Sequence, residues 1–428
     1  MSDSLGSRKS HRARDSYKAQ DSPRFFHGWI VVAAVHAALF VIFGVAYSFA
    51  AFFSAFQAEF GASRGDVSLI FSICGFLYFF FGAFAGQLAD RIGPRRLALT
   101  GMAILAGGLF YASRATSLPG LYIAYGVGIG LGVGLVYVPA VSAVQPWFAR
   151  RRGLASGISA AGIGVGTLVV PLIAAWLIAA LGWRRSFEML AIGALVLGGS
   201  AAMLIDNNPA RRGLSPDGVP VAAGAQPTRV VSGVSLRAAI GTRMFWLWYA
   251  SITFCSIAMF MPFVHLVPYA RDAGLSEATG VFLMGLIGVG SLVGRFGLAG
   301  LGDRLTRPAL LAGSYGTMAL MLVVWLVSSN VWALAIFATV FGAGYGMFVA
   351  ACPPLAMDYF GARSVAGIIG CVYTGAGIGN LVGPTVAGFV FDATGSYSVP
   401  ILIAIACMCL AAVCAILIRR EPTLAQTS

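Results

Sequence analysis

Arg295 is the residue whose setting most directly suggests chemistry. It lies inside an apolar run, 279–302, eight positions before Asp303, which on a helix is about 12 Å along the axis from the polar end. Ionisable groups at such depth usually face a bundle interior or an aqueous path and handle charged ligands. The alternative is that the side chain stretches back to the interface, which this distance strains. Tyr47, Tyr373 and Asn380 are further polar groups within apolar runs, able to hydrogen-bond a ligand or simply to pack. Covalent chemistry finds no support: there is no P-loop, no His/Cys metal set and no nucleophile–base motif. The seven cysteines (Cys74, Cys255, Cys352, Cys371, Cys407, Cys409, Cys414) all fall in apolar runs and read as small buried side chains, not as a disulfide framework or metal site. No enzyme activity, metal or cofactor is expected.

The elements that carry these groups follow from composition. The chain of 428 residues is 59% hydrophobic and 10% charged, where a water-facing domain carries about 25% charge. Twelve apolar stretches are long enough to cross a hydrocarbon layer as helices: 29–56, 66–89, 96–114, 119–146, 154–181 and 186–205, then 243–269, 279–302, 308–328, 331–357, 366–391 and 396–418. A β-barrel would need short alternating strands instead. The fold class is therefore an all-α membrane protein of twelve spans.

Twelve spans put both termini on one side. With the N-terminus inside, cytoplasmic segments hold 22 of the 28 Lys and Arg; Arg64, Arg114, Arg184, Arg185 and Arg271 lie outside and Arg295 within a span. That bias orients the chain with cytoplasmic termini. The net charge of +13 thus reflects topology, and nucleic acid is not an expected partner. Residues 1–24 read as a disordered tail, 25–205 as a first six-helix half, 206–242 as a polar linker, 243–418 as a second half and 419–428 as a short tail.

The halves repeat each other. GQLADR at 86–91 matches AGLGDR at 299–304, setting Asp90 against Asp303, and GIGVGTLVVP at 162–171 matches GAGIGNLVGP at 375–384, both at an offset of 213. Two related six-helix units around a central path are the plan of many secondary transporters. Arg295 maps onto Gly82. A charge present in one half only suits a ligand contact better than a shared scaffold. In the first loop, Asp90 and Arg91 close a helix, Gly93-Pro94 turns the chain, and Arg95 and Arg96 can meet helix C-terminal carbonyls and carboxylates; simple topology anchoring is the plainer reading.

GQLADRIGPRR at 86–96 resembles the loop signature of the major facilitator superfamily, and the resemblance spans about 25–420. HGW (27–29), WFARRRGLASGISAAGIGVG (147–166), GWRRSF (182–187), GLSPDG (213–218) and VHLVPYARDAG (264–274) resemble its monocarboxylate transporter branch, including bacterial members and oxalate/formate antiporters. The superfamily resemblance implies a latch between halves, for which Asp90, Arg91, Arg95, Asp303, Arg304 and Arg363 are the candidates. The branch implies an eighth-helix arginine on the substrate carboxylate, at Arg295, with His265 and, more loosely, Tyr137 and Tyr345 beside it. Ser291 stands where animal members carry a carboxylate, and Tyr47 where they carry a lysine. The eleventh span lacks the second cation of the oxalate/formate antiporters.

One cation argues for one carboxylate, since a second would be buried uncompensated. The expected activity is secondary transport of a small monocarboxylate of the lactate or pyruvate kind, driven by protons, by a monomer in a bacterial inner membrane. An organic-anion antiporter of the same fold and a non-transporting sensor are the alternatives.

Overall fold

The computed structural model describes residues 26–214, 216–218, 233–301, 305–361 and 363–418, with the backbone alone for Asp90 and 298–301. Twelve helices are long and apolar enough to span a membrane: α1 His27–Phe60, α3 Pro94–Ser113, α4 Leu118–Trp147, α5 Arg152–Leu181, α6 Trp183–Leu204, α7 Arg243–Asp272, α9 Arg307–Val327, α10 Val331–Phe360, α11 Val365–Thr394 and α12 Ser398–Ile418, together with α2 Arg64–Ile92 and α8 Glu277–Leu301. Among the described residues there is no strand, and Gly233 and Gly361 form an isolated bridge. The helices form because each run is apolar throughout and satisfies its own backbone, as a lipid environment demands. Large apolar side chains such as Trp176, Val327 and Ile123 project from the outer surface, where hydrocarbon would cover them.

Polar residues punctuate the ends. The Ser63, Ser117, Thr242 and Asn330 side chains accept from the opening turns of α2, α4, α7 and α10, satisfying amides that a helix start leaves free. Gly93, at φ 90°, turns the chain between α2 and α3 in a conformation that costs a side chain strain.

The repeat is visible in the helix bounds. The starts of α5 and α11 (Arg152, Val365) and of α4 and α10 (Leu118, Val331) stand 213 apart, and the members of each pair are both 30 residues long. The opening helix of each half also breaks near one repeat position, α1 at Ser48 and α7 at Phe260. Such breaks let side chains on α1 and α7 converge at mid-bundle.

Among the described residues the halves meet most extensively at two crossings, beside a smaller contact of α1 with α7. α2 packs along α11 from Gly65, whose added Cβ would strike Phe389, to Ala83, which faces Gly370. α5 crosses α8 at Gly164 and Gly288, where a Cβ on Gly288 would sit 2.6 Å from the Gly164 carbonyl oxygen. Only glycine permits that approach. Among the described residues α4 and α10 do not pack closely on each other.

Candidate functional site

At the centre, Tyr47, Tyr78, Tyr137, Tyr345 and Tyr373 line a cavity of about 30 Å³ with Phe43, Phe79, Phe260 and Phe348. That is close to the room one water occupies, so admitting even a small acid requires these side chains to move apart. The Tyr47 and Tyr345 hydroxyls stand 3.4 Å apart across the two halves, and Tyr47 stacks on Phe263 at 4.5 Å. The Tyr78 hydroxyl is buried in the same cluster.

Arg295 borders this cluster. It is 8% exposed, its Nη1 donates to Ser291 Oγ at 2.9 Å, and its guanidinium carbon lies 5.6 Å from the Tyr345 ring centroid. Its Nε and Nη2 are buried with no acceptor among the described residues. Ser291 in turn donates to Gly288 O, which fixes the hydroxyl as an acceptor toward Arg295. No carboxylate among the described residues pairs with this cation. The side chain does not stretch to the interface; it stays in the bundle. A buried guanidinium with open donors is an unfinished pair, costly unless an anion completes it.

His265 sits elsewhere, in a polar network that shuts the face remote from the termini. Arg64 of α2 grips Asp272 of α7 through both nitrogens, at 2.6 and 2.8 Å, and donates to Tyr397 Oη at 2.8 Å. Its guanidinium also covers the Phe391 ring at 3.8 Å. Asp392 accepts from the amides of Arg64 and Gly65, so α2 begins on a carboxylate of α11. Tyr397 lies 3.0 Å from His265 Nδ1, and His265 Nε2 lies 2.8 Å from Pro384 O and 3.3 Å from Ser68 Oγ. Burial pushes the Tyr397 hydroxyl above the usual tyrosine range, which keeps it a donor. A carbonyl can only accept, so Nε2 carries the ring proton and Nδ1 accepts from Tyr397. That pattern is the one a neutral ring makes.

The structure therefore brings Arg295, Ser291, Tyr345, Tyr47, Tyr137 and Tyr373 to the centre and places His265 at the closed end. Asn380 belongs to neither group. It is fully buried in α11, both amide atoms lack partners among the described residues, and it fills the space above Gly75, where a Cβ would meet its Nδ2. Of the latch candidates, Arg95 Nε donates to Ile205 O at 3.1 Å, while Arg91 and Arg363 are exposed. Asp303, Arg304 and the Asp90 side chain lie outside the described residues. Sequence reading missed the Arg64–Asp272–Asp392–Tyr397 cluster because each member stands at a span end, where it reads as an anchor. It also missed Tyr78, one of many aromatic residues in an apolar run. Arg64 and the two carboxylates share one side in the topology, which was the available signal.

The Major Facilitator Superfamily model matches residues 35–329 and 256–428. Monocarboxylate transporter 13 of Bos taurus is 29% identical over 88% of this chain and 86% of its own length. Monocarboxylate transporter 3 of Rattus norvegicus is 30% identical over 87% of this chain and 76% of its own. A bacterial homolog of the human lysosomal transporter Spinster, solved inward-facing and unoccupied, superposes with a TM-score of 0.68 over 93% of this chain and 98% of its own at 14% identity, a likeness of fold. With twelve spans, the repeat and relatives on this scale, the chain is a membrane transporter of the major facilitator superfamily, of the monocarboxylate transporter type.

Proposed function

We propose that this chain carries a small monocarboxylate, of the lactate or pyruvate kind, by proton-driven alternating access across a bacterial inner membrane with its termini in the cytoplasm. The observation that carries the reading is Arg295, buried beside a tyrosine-lined centre with two donors unpaired among the described residues. A carboxylate supplies the missing acceptors in paired geometry. Tyr47, Tyr137, Tyr345 and Tyr373 are proposed to hold its remaining polar groups, with Ser291 positioning the guanidinium and Asn380 available when α2 and α11 separate. A dicarboxylate would need a second buried cation, and α11 has none.

His265 is proposed to couple transport to protons. A proton on Nδ1 removes the acceptor that Tyr397 uses and sets a cation beside Arg64, which favours opening of the outer face. External acid would thus promote the outward-open state, and the neutral histidine the closed outer face. Asp90, Arg91, Arg95, Asp303, Arg304 and Arg363 are proposed to latch the cytoplasmic ends in the opposite state. The test is uptake of labelled acids by the purified chain in liposomes, with and without an inward proton gradient. Accumulation of a monocarboxylate only with the gradient is expected. Accumulation that ignores the gradient and needs an internal counter-anion would reassign the chain as an exchanger.

A further inference from the structure

On the face that bears the termini, the α2–α3 turn and the segment following α6 enclose a cleft of about 840 Å³. Its wall holds five arginines, Arg91, Arg95, Arg96, Arg211 and Arg212, and among the described residues one carboxylate, Asp206. Asp206 is already held by Arg212 Nε at 3.2 Å. Even with the neighbouring Asp90 counted from the sequence, the surplus is three positive charges. Arg95 ties the two walls together through Ile205 O. Arg91, Arg96 and Arg211 make no side-chain hydrogen bond or ion pair with another described residue, and Arg91 and Arg96 are exposed along with Arg211. α3 opens in the cleft at Pro94, adding the positive end of its dipole.

We propose that this cleft binds a phosphate-bearing anion, and that its occupant is the headgroup of an anionic phospholipid. Guanidinium forks match phosphate oxygens in pairs, and concave clusters of arginine at the headgroup level of a bundle are suited to such groups. The lipid source is favoured by what adjoins the cleft. Phe84, Leu88 and Ile92, one helical turn apart on α2, form an exposed apolar stripe, and Ile92 is itself part of the cleft wall. An acyl chain laid on that stripe puts its phosphate among the arginines.

The experiment uses the full-length protein in detergent, titrated with phosphatidylglycerol against phosphatidylcholine and read by native mass spectrometry and by the melting temperature. Wild type should retain phosphatidylglycerol and melt higher with it. Arg96→Gln with Arg211→Gln should weaken that affinity roughly tenfold or more, since each removed guanidinium loses a charge-assisted bond. Arg96→Lys with Arg211→Lys should keep most of the binding, which separates lost charge from misfolding. Arg150→Gln with Arg151→Gln removes the same charge from exposed positions on this face outside the cleft and should leave binding unchanged. Equal losses in the two glutamine pairs would overturn the site in favour of diffuse surface charge. Stabilisation by inorganic phosphate or pyrophosphate that displaces the lipid would overturn the lipid as occupant.

Discussion

Arg64 and Arg295 are both 8% exposed, yet their surroundings differ in kind. Arg64 is saturated by Asp272, Tyr397 and the Phe391 face, so its charge is spent inside the protein. Among the described residues Arg295 has one serine oxygen and two idle nitrogens, so its charge is available to a ligand. His265 is held between Tyr397 and Pro384, and its proposed role follows from that position. His265→Gln keeps hydrogen-bonding groups there and cannot titrate. Wild-type uptake should rise as external pH falls, while in His265→Gln initial rates should be flat across the same range with substrate affinity within about threefold, since a residue away from the centre contributes little to binding. A normal response to pH in the variant would move the proton to another group.

At the scale of elements, the α5–α8 crossing is where sequence and mechanism meet most closely. The glycines of GIGVGTLVVP were legible as a repeat, and the structure shows why all three must stay small: Gly162 and Gly166 abut the His36 and Phe40 carbonyls of α1, and Gly164 abuts Leu292 and Gly288 of α8. Gly288→Val would push against a backbone carbonyl that cannot yield and should cost about 1–3 kcal/mol by overpacking. It should lower the melting temperature and cut uptake severely, while Gly297→Val, at a position open to space, should leave both near wild type. The twelve helices were readable because lipid forces long apolar runs, and their repeat because both halves obey one packing plan. The Arg64 network was not, because Arg64 and Asp272 are 208 residues apart in sequence and nothing local links them. Arg295 was found because an isolated charge in an apolar run is conspicuous; its neighbours Tyr47 and Tyr345, from different halves, could be named but not brought into contact.

Taken as one molecule, the chain is closed at the face remote from its termini by the Arg64 network, one of the two states that alternating access requires. If the Arg64–Asp272 pair holds the outer face shut, Asp272→Asn should weaken closure by about 1.5–3 kcal/mol, roughly ten- to a hundredfold in the population of the open state. A cysteine placed at Ser72, buried behind the pair, should then react correspondingly faster with an impermeant thiol reagent applied from outside. Asp90→Asn, which weakens the proposed latch at the other face, should slow the same reaction; unchanged rates in both would leave these residues as anchors. The central claim is that Arg295 completes its hydrogen bonding on a substrate carboxylate. The most direct measurement is equilibrium binding of the transported acid to monodisperse wild type, Arg295→Lys and Arg295→Ala. Lysine lacks the planar fork and should bind weakly, and alanine should lose about 2–5 kcal/mol, on the order of thirtyfold to several thousandfold. Equal affinity in all three would contradict the account.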